Sequence, residues 1–233
     1  MKRNHNFFSN LVFNLAENHL GNTKNNPSVG CVIVKNNSVI SSGITSINGR
    51  PHAEYNALKK NLDFKDSDMY VTLEPCTHYG LTPPCTNIIK KKEIKNVYYI
   101  SNDPDKRTHK KAKIVLKKCK TKIQKINFKN DFYKSYYLNK KKKQPLVDAK
   151  IAFSKDFCTI SKKDKWITNL RSRNVKHLLR SKYDCIVSTS ESINKDNSIL
   201  NCRINGLNHL TPDLLIIDRK LKIKRIHLTV RYE

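Results

Sequence analysis

The order of apolar and polar positions predicts alternating helices and strands over the first half of the chain. Apolar residues recur at helical spacing from Phe7 to His19, and Val29 to Val34 is a continuous, largely β-branched run of strand length. Asn36 and Asn37 form a turn signal before the next strand. The same patterns predict strands at Val39–Gly43, Met69–Leu73, Val97–Ser101 and Thr121–Asn127, and helices at Ala53–Lys60, Thr86–Lys92 and Lys110–Lys118. Strands that alternate with helices predict a layered α/β domain over residues 1–127.

The second half of the chain predicts a basic linker helix followed by another α/β segment. Phe132 to Lys143 has helical character and ends in a run of lysines, so we expect a linker over residues 128–144. Pro145 then opens the segment 145–233. There the patterns predict strands at Val147–Phe153, Cys185–Ser188 and Leu214–Asp218, and a helix at Arg171–Lys182.

The charge of the chain allows two interpretations. The 233 residues include 46 Lys and Arg against 19 Asp and Glu, a formal net charge of +27. Such a charge is typical of nucleic-acid-binding proteins. However, Lys outnumbers Arg by 36 to 10 and there are 26 Asn, a bias that an AT-rich genome produces without selection for binding. Because the cations are mostly scattered, we expect a solvated basic surface and no specific nucleic-acid partner.

Segment composition and cysteine usage indicate a reducing compartment. No run of about eighteen apolar residues predicts a transmembrane helix, and residues 1–10 lack the apolar centre of a signal peptide. The seven cysteines are odd in number and irregularly spaced, which argues against a disulfide framework. We therefore expect a cytoplasmic protein with no membrane partner, in which cysteines paired at suitable spacing are metal ligands.

One histidine and two cysteines form the strongest candidate for a chemical site. His52 and Glu54 open a predicted helix, Cys76 follows a predicted strand, and Cys85 lies nine positions further on. One His and two Cys make a three-ligand zinc site with an open fourth position, the arrangement that catalytic zinc requires. A carboxylate two residues after the His ligand can carry protons without binding the metal, as in zinc deaminases. The alternative is that Cys76 and Cys85 are unrelated core thiols.

The motifs around these residues resemble a known family. The segments 26–34 (NPSVGCVIV), 51–54 (PHAE) and 72–85 (TLEPCTHYGLTPPC) are similar to the bifunctional deaminase/reductase of riboflavin biosynthesis. Nucleic-acid and cytidine deaminases usually carry Cys-x-x-Cys, whereas eight residues separate the two cysteines here. The resemblance covers residues 5–127 and implies a cytidine-deaminase-like, three-layer α/β/α domain.

This resemblance implies a reaction and a set of roles. The reaction is hydrolytic deamination of 2,5-diamino-6-ribosylamino-4(3H)-pyrimidinone 5′-phosphate, so the partner is a small phosphorylated pyrimidine and the cofactor is Zn²⁺. The zinc ligands fall on His52, Cys76 and Cys85, the proton shuttle on Glu54, and substrate contacts on Asn26 and Asp103.

Three positions depart from the family pattern and leave the phosphate contact open. Thr45 stands where the family usually has His, Leu81 where it has a basic residue, and Asp105 where it has Asn. Each departure removes a polar or phosphate contact. Alternative cations for the phosphate are Lys106, Arg107, Lys110 and Lys111, unless these form a solvated helix face.

The resemblance continues into residues 145–233, which are similar to the start of the family's reductase. It implies a partial dihydrofolate-reductase-like α/β domain with NADPH as hydride donor. The matching positions, which would contact reductase substrate or cofactor, are Lys150, Ser154, Asp156, Asp164, Trp166, Arg180, Ser192, Asp196, Leu200 and Arg203. Phe157 and Arg219 depart from the pattern, and the family's reductase extends beyond the length present here. We therefore expect an incomplete reductase half, unless a separate reductase chain completes it.

Two further function classes remain open from the sequence. The basic charge would suit an RNA-editing zinc deaminase, and a zinc-stabilised binding module that recruits a partner through residues 145–233 is the non-catalytic alternative. We also expect a homo-oligomer.

Overall fold

The computed structural model describes residues 4–159 and 166–224. The chain forms two compact units, Met1–Asp148 and Ala149–Glu233. Each unit is described by itself.

A five-stranded mixed sheet organises the first unit. Its strands are β1 (Gly30–Lys35), β2 (Ser38–Ile44), β3 (Asp68–Leu73), β4 (Asn96–Ser101) and β5 (Lys122–Lys125), in the order β2-β1-β3-β4-β5. The helices are α1 (His5–Glu17), α2 (Ala53–Leu58), α3 (Cys85–Lys91), α4 (Ala112–Lys117) and α5 (Lys134–Lys142), with a short 3₁₀ turn at Ile47–Gly49. Strand β1 is antiparallel to β2 and β3, and β3, β4 and β5 are parallel.

Helices cover both faces of this sheet. A Cβ at Gly30 would point at the backbone of α1, and a Cβ at Gly43 would point at the backbone of α2. Gly30 pairs with Ile44, the neighbour of Gly43, so these two glycines face opposite sides of the sheet. Helices α1 and α2 therefore form the two outer layers, which explains why β1 and β3 are buried almost throughout. This confirms the predicted three-layer α/β/α architecture.

The predicted elements of residues 1–127 all occur, with bounds that differ by no more than two residues. Helix α1 begins earlier than predicted because Asn4 caps it, its side chain accepting a hydrogen bond from the Phe7 amide at 3.0 Å. Strand β5 is shorter than predicted, and the 3₁₀ turn gave no periodic signal in the sequence.

Residues 128–144, predicted as a linker, belong to the first unit, and their aromatic side chains pack on it. Phe128, Phe132 and Tyr133 join its hydrophobic core, and only 3% of Tyr133 is exposed. The Tyr133 hydroxyl donates to the Ser28 carbonyl at 2.9 Å and lies 2.6 Å from the Thr72 hydroxyl. The aromatic side chains thus attach this segment to the sheet, while the lysines of α5 stay at the surface.

The second unit contains a small parallel sheet. Its elements are α6 (Leu170–Arg180), β6 (Cys185–Thr189), α7 (Ser190–Asp196) and β7 (Asp213–Ile217), and β6 pairs with β7. The expected strand at Val147–Phe153 is wrong, since residues 147–153 have no regular secondary structure. Val147, Ile151 and Phe153 are exposed there, so the apolar run gains no burial from a neighbouring strand. No helix within the described residues is long and apolar enough to span a membrane.

Candidate metal centre and active-site pocket

Three loop-to-helix junctions bring the predicted zinc ligands together. His52 is the N-cap of α2, Cys76 follows the end of β3, and Cys85 is the first residue of α3. The backbone at His52 is extended, which lets its side chain leave the helix axis and point towards the loop that carries Cys76. The sequence therefore places each ligand where a regular element begins or ends.

The three side chains converge on one point. The Cys76 Sγ lies 3.7 Å from the His52 Nδ1, and the Cys85 Sγ lies 3.4 Å from the same nitrogen. All three ligand atoms lie within 4.8 Å of one another, the one such grouping of His, Cys, Asp or Glu among residues 4–159 and 166–224. One imidazole and two thiols at this spacing fit tetrahedral Zn²⁺ and leave its fourth position open. These three residues can thus form a metal site, which confirms the prediction of a zinc cofactor.

Without a metal, the two cysteines favour a state in which one thiol is deprotonated and the other keeps its proton. A hydrogen bond from Cys85 lowers the pKa of Cys76 to about 4, while the same contact and burial raise the pKa of Cys85 well above its usual value. The hydrogen bond with Cys76 also raises the pKa of His52. A metal ion that binds here must displace the remaining thiol proton.

Glu54 lies beside these ligands and is not one of them. It occupies the first turn of α2, is 4% exposed and lines the same pocket as His52 and Cys76. Burial raises its pKa to about 7, and the nearby Cys76 adds to the shift. A carboxyl group with this pKa can both accept and release a proton near neutral pH.

The pocket also contains both predicted substrate contacts. Asn26 and Asp103 line it together with His52 and Cys76, two of the three metal ligands. Asn26 donates through Nδ2 to the Gly49 carbonyl at 3.2 Å. The Asp103 carboxylate accepts from the Asp105 amide at 2.9 Å and from the Tyr136 hydroxyl at 3.2 Å, and burial raises its pKa. These contacts fix both side chains at the pocket wall.

The three departures from the family pattern have distinct surroundings. Thr45 lines the pocket, but its hydroxyl accepts a hydrogen bond from the Val29 amide at 3.0 Å. Leu81 is 89% exposed and contributes nothing to the pocket wall. Asp105 lines the pocket, and the Arg107 guanidinium, 2.6 Å away, lowers its pKa strongly.

The pocket contains cations that sequence reasoning missed. Of the four cations suggested for the phosphate, Arg107 alone lines the pocket, and it is paired with Asp105. The wall also includes Arg50 and Lys140, and the aromatic ring of Tyr136. Tyr136 and Lys140 come from α5, the segment interpreted as a linker. Arg50 is one of 46 Lys and Arg residues, and no sequence pattern distinguishes it from the others.

Of the predicted reductase residues near the start of the second unit, Lys150 and Asp156 are exposed and Ser154 is half-buried. Ser154 and Asp156 are hydrogen-bonded to each other in a turn. Asp164 lies outside the described residues.

Two predicted reductase arginines, Arg180 and Arg203, contact Asn201 and His177, which also contact each other. Arg180 donates to the Asn201 carbonyl at 3.0 Å, and the Arg203 Nη2 lies 3.4 Å from the Nε2 of His177, whose own Nδ1 is 3.3 Å from the Asn201 carbonyl. Trp166 packs under Arg173, whose guanidinium carbon is 4.8 Å from its ring centre. The remaining predicted positions lie in or just after α7, namely Ser192, Asp196 and Leu200.

Glu74 supports the pocket wall that carries Asp103. Only 3% of this carboxylate is exposed, and it accepts hydrogen bonds from the Lys110 and Ala112 amides at 3.0 and 3.2 Å. These bonds hold residues 103–112 against the end of β3.

We expect Glu74→Ala to destabilise the protein by about 2 kcal/mol, because it leaves a buried backbone amide without an acceptor. Glu74→Gln keeps one acceptor oxygen and should cost less. Urea denaturation measures both, with the exposed Glu93→Ala as control. Equal stability of Glu74→Ala and wild type would contradict this role.

Comparison with known proteins defines the class of the first unit. Residues 2–101 match the family described as the cytidine and deoxycytidylate deaminase zinc-binding region. The fold and the ligand set thus define a zinc-binding deaminase domain.

The chain is similar to the riboflavin biosynthesis protein RibD over most of its own length. It is 31% identical to that of Aquifex aeolicus over 93% of the chain and 62% of the relative, and 32% identical to that of Buchnera aphidicola over 97% and 66%. It also matches the structure of the diaminohydroxyphosphoribosylaminopyrimidine deaminase/5-amino-6-(5-phosphoribosylamino)uracil reductase of Thermotoga maritima, with a TM-score of 0.81 and 31% identity over 92% and 63% of the two chains. These matches confirm the resemblance inferred from the motifs. The chain spans 62 to 66% of the length of these relatives.

Proposed function

We propose that this chain is a zinc-dependent hydrolytic deaminase of riboflavin biosynthesis, acting on 2,5-diamino-6-ribosylamino-4(3H)-pyrimidinone 5′-phosphate. The observation that carries the proposal is the convergence of His52, Cys76 and Cys85 on one point, beside a pocket that His52, Cys76 and the unligated carboxyl of Glu54 line. The names of the matched relatives support the same substrate.

The chemistry divides between the metal and the chain. A zinc ion held by the three ligands supplies a Lewis acid that makes water nucleophilic at neutral pH. Glu54 accepts the two protons of the attacking water in turn and delivers one to the adjacent ring nitrogen and the other to the departing amino group. A bond forms between the water oxygen and the ring carbon, the carbon–nitrogen bond breaks, and ammonia leaves as the ring gains a carbonyl.

The pocket wall orients the ring for this attack. Asn26 and Asp103 both carry hydrogen-bonding groups into the pocket, and Tyr136 places an aromatic ring and a hydroxyl beside Asp103. Side chains held by their own hydrogen bonds lose little freedom when substrate binds, so the ring is positioned without further ordering of the site.

The two alternative functions have less support. The eight residues between Cys76 and Cys85, together with the RibD relatives, disfavour an RNA-editing deaminase. A purely structural zinc site has no use for the buried carboxyl of Glu54 beside its ligands. Formation of a homo-oligomer, pairing with a separate reductase chain and a cytoplasmic location stay predictions.

The direct test is to incubate zinc-loaded protein with the diaminopyrimidine substrate, with and without NADPH, and to identify the products by mass. We expect ammonia and the deaminated pyrimidine in both cases. A further product only with NADPH would reveal the reduction that the resemblance implies for residues 145–233. A parallel reaction with tRNA tests the editing alternative. Release of ammonia from tRNA alone, or absence of bound zinc, would overturn the proposal.

A further inference from the structure

The charges that line the pocket determine how an anionic group can be bound. The wall includes four carboxylates and three Lys or Arg side chains, so a phosphate needs a cation that is not already neutralised. The members are Glu54, Glu74, Asp103, Asp105, Arg50, Arg107 and Lys140. Cations paired with a carboxylate contribute little to binding of a further anion.

Two of the three cations are engaged elsewhere. Arg107 forms a fork with Asp105, from Nε to Oδ1 at 3.0 Å and from Nη2 to Oδ2 at 2.6 Å. The Lys140 ammonium lies 5.7 Å from the ring centre of Tyr136, a cation–π contact on a long, flexible side chain. Neither offers a preorganised pair of donors.

Arg50 has a different environment. It is half-buried, and its Nη1 donates to the hydroxyl of Thr82. Its Nη2 lies 3.4 Å from the position that a Cβ would take at Gly80, so the guanidinium packs against the loop 77–84. Within residues 4–159 and 166–224, no carboxylate forms an ion pair with Arg50.

The loop beside Arg50 makes this arginine the local source of positive charge. Residues 77–84 contain no Lys or Arg, and Leu81 points into solvent. A guanidinium has five N–H donors, and a neutral hydroxyl accepts only one of them, so a fork for a phosphate remains. Asn26 bonds to the carbonyl of Gly49, the residue before Arg50, and so fixes the backbone from which it extends.

We propose that Arg50 binds the 5′-phosphate of the substrate through the unoccupied N–H donors of its guanidinium. The assignment rests on the proposed function, which supplies a phosphorylated substrate. It makes Arg50 the residue that distinguishes a nucleotide-like substrate from its dephosphorylated form.

The test compares kcat/KM for the phosphorylated substrate and for its dephosphorylated counterpart. We expect Arg50→Ala to lower the preference for the phosphorylated compound about 10- to 100-fold, mostly through KM, as loss of a charged hydrogen bond predicts. Arg50→Lys should retain part of the preference because it keeps the charge and loses the fork. The exposed Lys60→Ala, which removes one charge outside the pocket, should leave it unchanged.

A structural role would give a different result. Thr82→Val removes the hydroxyl partner and keeps the cation, so it should preserve the phosphate preference under our proposal. If Arg50→Ala lowers kcat/KM equally for both compounds, or changes neither, Arg50 does not bind the phosphate.

A binding measurement separates this inference from the proposed function. Zinc-loaded protein is titrated with ribose 5-phosphate and with ribose by NMR. Binding of ribose 5-phosphate that Arg50→Ala weakens supports the assignment even if neither pyrimidine is deaminated, in which case the proposed function alone fails. Equal binding by wild type and Arg50→Ala overturns the assignment.

Discussion

Glu54→Gln should abolish deamination while leaving zinc in place. The carboxamide keeps the size of the side chain but cannot accept a proton, and general acid–base catalysis contributes about 10²- to 10⁴-fold to rate. The residue does not belong to the group of ligand atoms formed by His52, Cys76 and Cys85, so its replacement removes no donor to the metal. Ammonia release and zinc content, measured on the same preparation, test both halves of this expectation.

Two further variants make the result specific. Cys85→Ser removes a ligand and should lose zinc and activity together, whereas Glu54→Gln should lose activity alone. Glu93→Gln makes the same chemical change at an exposed position and should behave as wild type. Full activity of Glu54→Gln would exclude the proposed proton transfer.

The zinc ligands could be predicted from the sequence because each one lies at a locally encoded boundary. His52 precedes a helix, Cys76 follows a buried strand, and Cys85 begins the next helix. In a sheet flanked by helices, such boundaries gather at the sheet edge, so the order of elements is enough to bring the ligands together.

The pocket wall contributed by α5 could not be predicted in the same way. Tyr136 and Lys140 lie more than thirty residues after Asp103, in a segment whose lysines dominate its sequence pattern. The burial of Tyr133 decides where this segment packs, and that contact depends on the folded sheet.

The wrong strand prediction at Val147–Phe153 has a related cause. An apolar run becomes a strand only when another strand hydrogen-bonds to it.

The proposed role of Arg50 could not be predicted from the sequence. Its Thr82 partner lies more than thirty positions away in the chain, on a loop with no regular structure. Charge composition gives no means of selecting it, because the contact is made by tertiary structure alone.

Gly43→Ala should destabilise the first unit and disrupt the metal centre. A Cβ at this position would lie 2.5 Å from the Ala57 amide nitrogen and closer still to the Ala53 carbonyl oxygen. Both atoms belong to the backbone of α2, so no side-chain rotation relieves the overlap and the helix must move away from β2. Overpacking of this kind costs about 3 kcal/mol. Because His52 and Glu54 lie at the start of α2, the same movement should lower zinc affinity.

Thermal unfolding and zinc content measure the two effects of Gly43→Ala. Ser42→Ala, at the adjacent position of β2, adds no atoms and should match wild type. If Gly43→Ala unfolds at the wild-type temperature with full zinc, then close packing of α2 on the sheet does not position the site.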